Sequence, residues 1–345
     1  MLFSNSRYGI GLIVVLTYLT FPSFSATAAA ADPKLIEAAK KEGGEVHAYA
    51  TLRVDTSKQV WDLFEAKYPF LKVKQYKADS DKMLQRVLTE YRAGKYLVDV
   101  LNFGGFHTQV LIERGIAGPY LSPETKHYAP ALKDKNGFWT TLYYNPLTIA
   151  YNTQLIPISE RPRDWPDLLH SRWKGKIAME GDHLTWYAAI HKRYGEEKGR
   201  KFMQALARQD LRLESSSRGI ALLAAGEFSV FIGRGHTAQI LKQRGAPLDW
   251  IRNPDPLAVH LQTVQIAKNA PHPNSAKLLI DFLLSETVAE IITKEHRLSG
   301  RSGVPGMNPA FKEIEVEKIL PLSMEELLAN YKRYLEEFRN LFGKG

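Results

Sequence analysis

The chain has 345 residues, 44% of them hydrophobic, with 46 Lys and Arg against 37 Asp and Glu, and it contains no cysteine. The missing thiol excludes disulfides, thiolate nucleophiles, iron–sulfur clusters, thiolate zinc sites and the lipid-bearing cysteine of a lipoprotein, so stability must come from a packed core. One core rarely serves more than about 250 to 300 residues, so two domains are expected.

Residues 1–31 read as an export signal. Arg7 precedes an apolar run over 10–21, shorter than the about 17 to 25 residues of a membrane anchor, and a tract of small residues follows, with cleavage expected near Ala31. On an exported chain the basic excess points to an anionic surface or a small anionic ligand, or simply to a solvated basic face, before it points to nucleic acid.

After Asp32 the pattern alternates. A helix over 33–41 is stopped by Gly43-Gly44, and a strand follows over 46–51. A second helix shows Val60, Leu63 and Phe64 on one face and is closed by Pro69. Then come a strand over 71–76, a helix over 80–92 and a strand over 98–103 ending in Gly104-Gly105. This order predicts right-handed βαβ units and a parallel sheet. Two β-rich runs, 138–144 and 147–151, flank Asn145-Pro146 and read as an extended crossover. A second series follows: strand 176–179, helices 185–194 and 197–208, strand 211–214, helix 218–225, strand 229–232, a helix and strand 247–251. The run 259–266 returns to the first unit. A helix with Leu279, Phe282 and Leu283 on one face comes next, and a final helix over 324–341 places Leu327, Tyr331, Leu335 and Phe338 on one stripe. The expected division is a discontinuous first lobe (32–144 and 258–305), a second lobe (145–257) and a C-terminal helical segment (306–345) packed on the lobes.

Two α/β lobes joined by extended crossovers form a hinge around a cleft, and ligands of such sheets sit beyond the carboxyl ends of the strands. Ser215-Ser216-Ser217-Arg218 follows a strand and opens a helix, which suits an anion, although Ser216 reads equally as a helix cap. Gly233-Arg234-Gly235-His236-Thr237-Ala238 fits G-x-G-x-x-A. Its nearest following acid, Asp249, stands closer than the about 20 residues of a dinucleotide site, so Arg234, His236 and Thr237 are read as contacts to a ligand of another kind. Thr51, Arg53, Asp79 and Ser80 follow the first two strands, Gly104 and Gly105 allow close backbone approach, and Tyr143, Tyr144 and Asn145 mark the crossover. The one metal grouping to consider is Asp182, His183 and His236.

Several segments, taken in order, resemble the solute-binding proteins grouped around the bacterial ferric-ion-binding proteins. They are Leu35-Ile36-Glu37-Ala38-Ala39-Lys40-Lys41-Glu42-Gly43, Val98-Asp99-Val100, Thr148-Ile149-Ala150-Tyr151-Asn152-Thr153, Asp164-Trp165-Pro166-Asp167-Leu168, Trp173-Lys174-Gly175-Lys176-Ile177, Ala225-Gly226-Glu227 and residues 276–285. The resemblance implies the two-lobe type II periplasmic-binding-protein fold, α/β in class, with a mixed, mostly parallel sheet in each lobe. It also implies a monomeric periplasmic receptor of an ABC importer, partnered by a membrane permease and its ATPase, with no cofactor and no nucleic acid. The ferric ligands do not carry over: Leu52-Arg53 stands where a histidine is expected, Gly104-Gly105 where a glutamate is expected, and His236 and Thr237 where two tyrosines are expected. An anion or anionic chelate is therefore the expected cargo. A Fe(III) receptor with a non-standard ligand set and a secreted hydrolase stay open as alternatives, although G-x-S-x-G, H-E-x-x-H and G-x-x-x-x-G-K-[ST] are all missing.

Overall fold

The computed structural model describes residues 32–78, 80–181, 183–305 and 309–343, so the export segment and its cleavage point, Asp79 and Asp182 lie outside the described residues. The chain opens with α1 (Pro33–Ala39), β1 (Glu45–Ala50), α2 (Val54–Lys67), β2 (Lys72–Tyr76), α3 (Ser80–Arg92), β3 (Val100–Gly104), α4 (His107–Glu113) and β4 (Ala117–Gly118). It crosses over in β5 (Thr140–Asn152) and builds β6 (Ile177–Glu180), α5 (Leu184–Tyr194), α6 (Glu196–Ala207), β7 (Arg212–Glu214), α7 (Ser216–Ala225), β8 (Val230–Arg234), α8 (Gly235–Gln243) and β9 (Leu248–Trp250). It returns in β10 (Ala258–Ala267) to α9 (Pro273–Leu283), α10 (Glu286–Lys294) and β11 (Leu298–Ser299), and ends in α11 (Pro309–Lys312) and α12 (Met324–Phe342).

The strand order is β2-β1-β3-β10-β5-β8-β6-β7, with β4 on β10 and with β9 and β11 on β5. The β2-β1-β3 and β8-β6-β7 ends are parallel, whereas β5 and β10 run antiparallel to their neighbours. In the first lobe both faces of the sheet are covered. Val46, Ala48 and Val100 join a core with α2, α9 and α10, while Tyr49, Leu101 and Phe103 join a core with α3 and α4. The second lobe has its own larger core around Trp165, Trp186 and Phe231.

Two details differ from the sequence reading. On α2 the buried stripe is Ser57, Val60, Trp61 and Phe64, the i, i+3, i+4, i+7 set, and Leu63 is 40% exposed. The two runs flanking Asn145-Pro146 are one continuous strand, buried along its whole length. On one side β10 pairs through this region, from Val264 opposite Thr140 to Ala258 opposite Leu147. On the other side β11 pairs only with Tyr143 and Tyr144, and β8 starts at Leu147. Asn145 and Pro146 fall in the gap, where a proline's missing N–H breaks no ladder.

The returning chain is tied into the first lobe at the start of α9. The Asp99 carboxylate, fully buried, accepts from the backbone N–H groups of His47 (2.8 Å) and His272 (2.7 Å) and lies 2.9 Å from His272 Nδ1. The Glu42 carboxylate accepts from the backbone N–H groups of Asn274 (3.0 Å) and Ser275 (2.8 Å) and from the Ser275 hydroxyl (2.8 Å), capping α9 from a distant part of the chain.

Burial by itself raises the Glu42 pKa, but the hydrogen bonds from Ser275 and Asn274 outweigh it and hold the carboxyl below the ordinary 4.5. A carboxyl depressed in the folded state contributes stability that is complete above its unfolded value and is lost as pH falls through its folded value. Glu42→Gln is therefore expected to lower the unfolding free energy by about 1 to 2 kcal/mol at pH 7, with the difference from wild type shrinking below about pH 4. Urea denaturation at both pH values measures this, and a deficit that does not change with pH would contradict it.

Candidate functional site

The gap in the sheet beside Asn145-Pro146 is where the chain concentrates charge. β10 brings His260 opposite Asn145, β8 ends with Arg234 opposite Leu147, and Arg297 immediately precedes β11, whose Leu298 lies opposite Tyr144. Three elements thus deliver basic side chains to four consecutive residues of β5. The Asn145 side chain is buried, and its Oδ1 has no hydrogen-bond partner among the described residues.

The charges are not equivalent. Arg234 pairs with Glu180, which is buried at the end of β6 and lies 3.4 Å from His183 Nε2, so its charge is balanced in place. Arg297 is half-buried with its guanidinium 4.6 Å over the Tyr143 ring, and among the described residues it has no ion pair. Beside them His236 is partly buried, and its Nδ1 is buried with no partner among the described residues. Burial first, then the positive fields of Arg297, Arg234 and His260, pushes its pKa well below 6.5, so it is neutral at pH 7. One unbalanced arginine, a neutral histidine and an open carbonyl oxygen therefore share the crossover.

A cavity of about 460 Å³ opens from His260 between the lobes. Its first-lobe wall includes Gly104, Gly105, Phe106 and His107, and its second-lobe wall includes Gly181, Leu184 and Thr185. His107 is pinned, with Nδ1 2.9 Å from the Gly104 carbonyl oxygen and Nε2 2.7 Å from Asp81. Gly105 takes a left-handed turn at φ +57° and donates its N–H to the Leu261 carbonyl at 3.2 Å. A Cβ at Gly104 would stand 2.5 Å from Gln262 Nε2 and 2.8 Å from His260 Nε2, so a glutamate there would have to displace both side chains. The other missing ligand is equally physical, because Leu52 is core and Arg53 is exposed, 3.8 Å from Asp55.

The remaining sequence candidates divide. The Thr51 hydroxyl lies within hydrogen-bond reach of Asn102 (2.9 Å) and Gln262 (3.0 Å), and the Ser80 hydroxyl accepts from the Gly104 N–H at 3.4 Å, so both support the cleft floor. Tyr143 and Tyr144 are both buried, and burial raises the Tyr144 pKa. Thr237 donates to the Arg234 carbonyl at 2.7 Å, which fixes the first turn of α8. Ser215, not Ser216, is the N-cap of α7, and the Ser216 hydroxyl is buried without a partner among the described residues. Ser217 is exposed, and Arg218, 70% exposed, lies 3.2 Å from Glu214, so neither joins the crossover cluster. The glycines of the G-x-G-x-x-A stretch serve packing: a Cβ at Gly233 would strike Phe231, and one at Gly235 would press on Trp250 and Pro146. His183 sits with Glu180, Asp182 lies outside the described residues, and among the described residues no three His, Asp or Glu side chains could together hold a metal ion. Sequence reasoning missed Arg297, His260 and Glu180. His260 could have been found from its place in the returning run opposite Asn145, whereas nothing local marks Arg297.

Residues 96–320 match a family described as bacterial extracellular solute-binding protein. An uncharacterized Haemophilus influenzae protein is 27% identical over 208 residues, 56% of this chain, and the chain spans only 60% of that relative's length. Among solved structures, the IdiA (FutA) protein of Trichodesmium in complex with iron and citrate superimposes with a TM-score of 0.74 at 19% identity, covering 86% of this chain and 99% of the other. The periplasmic binding protein AfuA from Actinobacillus pleuropneumoniae, with exogenous fructose-6-phosphate bound, gives 0.71 at 22% identity, covering 88% and 99%. The ferric binding protein from Campylobacter jejuni gives 0.74 at 17% identity, covering 86% and 99%. These likenesses carry the fold, the two-lobe periplasmic-binding-protein architecture.

A buried histidine that stays neutral makes the fold acid-sensitive, because the unfolded chain takes up a proton near pH 6.5 that the folded chain refuses. The thermal midpoint is expected to fall as pH drops from about 6.5 to 5, and His236→Gln is expected to reduce that fall. NMR of ring-labelled histidine provides the direct check: a His236 resonance that titrates between pH 6 and 7 would exclude the neutral assignment.

Proposed function

We propose that this chain, which belongs to the bacterial extracellular solute-binding protein family, is the periplasmic receptor of an ABC importer and captures an anionic solute between its lobes. It enters the periplasm by the export signal at 1–31, acts as a monomer and hands its cargo to a membrane permease driven by an ATPase. The lobes are residues 32–144 with 258–305, and 145–257, hinged on β5 and β10. The solute is bound and released unchanged.

The observation that carries this reading is the unbalanced Arg297 guanidinium, held over Tyr143 next to neutral His236 and the open Asn145 carbonyl. A desolvated cation without a counter-ion is costly to maintain, and an incoming carboxylate or phosphate would complete it with charge-assisted hydrogen bonds. Two of the solved neighbours were obtained with iron and citrate and with fructose-6-phosphate, and an anionic chelate or an anion supports the same class of cargo here. Among the described residues no helix is long and apolar enough to cross a membrane, which fits a receptor that works beside its permease.

Thermal-shift and calorimetric titrations with phosphate, citrate, ferric citrate and fructose-6-phosphate test the proposal. At least one is expected to stabilise the protein, by about 2.7 kcal/mol at a hundredfold excess over its Kd. Arg297→Ala is expected to weaken that ligand at least tenfold, about 1.4 kcal/mol, while Arg218→Ala changes affinity less than twofold. Stabilisation by uncomplexed Fe(III) alone would replace the anion with a metal. If Arg297→Ala had no effect, the anion would have to bind elsewhere.

A further inference from the structure

The family match ends at residue 320, and α12 begins at Met324. The helix crosses the cleft. Leu327, buried, lines the 460 Å³ cavity and also a second one of about 400 Å³, and both cavities touch Gly105 of the first lobe and Thr185 of the second. α12 therefore lies between the lobes and divides the space there.

Its attachments are one-sided. Glu326 accepts from Lys192 at 2.7 Å, Arg333 donates to Glu196 at 2.9 and 3.1 Å, and Tyr187 donates to Glu337 at 2.9 Å, all on α5 and α6. Met324, Leu327, Tyr334, Phe338 and Phe342 join the second-lobe core. Towards the first lobe the helix presents Tyr331, whose ring centroid lies 3.9 Å from that of Phe106. Phe106 in turn stacks on His107 at 4.2 Å.

The helix also changes the chemistry of the cavity. It supplies Leu327, Tyr331, Tyr334, Leu335 and Phe338 together with the charged Arg339, whereas the rest of the wall offers Phe106, Leu184 and Leu213 among glycines and polar groups. A volume of about 460 Å³ lies within the ~300 to 1,000 Å³ of small-molecule sites and exceeds what a bare inorganic anion fills. Polar recognition is available at His260 and at Arg339 near the end of α12, and apolar and aromatic surface along the rest of that helix.

We propose that α12 is the roof of the solute site and selects an anion carrying an aromatic ring, with the charged group at the His260 crossover and the ring beneath Tyr331. This rests on reading the cleft as an anion receptor and names the class of anion. Flat rings gain most from such a wall, because stacking adds to the area buried.

Isothermal titration of the full chain with phenylphosphonate and methylphosphonate separates body from head, since both carry the same charged group. Phenylphosphonate is expected to bind at least tenfold more tightly. In Tyr331→Ala the preference is expected to fall below threefold, while Tyr331→Phe, which keeps the ring, retains it. Leu335→Ala probes the same wall if Tyr331→Ala fails to fold, and the same threefold limit applies. Equal affinity for the two phosphonates in the wild type, or a preference that survives in a folded Tyr331→Ala or Leu335→Ala, overturns the roof and leaves the anion receptor standing. Binding of neither phosphonate overturns the roof, and the anion-receptor reading falls with it only if phosphate, citrate and fructose-6-phosphate also fail to bind.

Discussion

Everything in this structure leans on one strand. β5 is thirteen residues long and buried throughout, and it joins the two halves of the sheet, with β10 on one edge and β8 on the other. Buried backbone groups must find partners, so β10 and then β9 follow it along one edge while β11 and β8 divide the other between them. The division leaves Asn145 and Pro146 uncovered on that edge. The gap is a product of ladder geometry, and the charged cluster occupies it because the ends of β8 and β11 have nowhere else to lead.

The electrostatics follow from the same placement. A lone charge inside a protein costs several kcal/mol, and the cluster limits that cost by pairing Arg234 with Glu180, keeping His236 neutral and resting Arg297 on an aromatic face. None of these devices removes the positive field; each makes it tolerable. Of the cluster, His260 lines the cavity between the lobes. That arrangement differs in kind from a surface arginine such as Arg218, whose charge is screened by water and by Glu214.

Much of the fold was legible in the sequence because hydrophobic period and glycine punctuation are local signals. α3 and α12 could be placed from spacing alone, and the exchange of helix and strand implied two α/β lobes. Leu63 misled because three apolar residues within five positions fit more than one helical face, and only packing decides among them. The charged cluster was legible in part. Arg234 and His236 follow a strand directly and could be proposed, but Arg297 and His260 reach the gap through strand register between segments more than a hundred residues apart, which no local pattern encodes. Ser217 and Arg218 form a sound local motif at a helix start that the fold turns towards solvent, apart from the crossover.

The ties of Asp99 and Glu42 bear on how the chain comes to be folded at all. Both carboxylates sit early in the sequence and find their partners at His272, Asn274 and Ser275, after the whole second lobe has been made. Until those residues emerge, the first sheet lacks β10 and α9, one of its two covering layers is incomplete, Glu42 lacks its α9 donors and Asp99 has the His47 N–H without His272. Contacts of such separation make folding slow and late, since loop closure must precede any gain. A chain built this way completes its first lobe only after its second has been made.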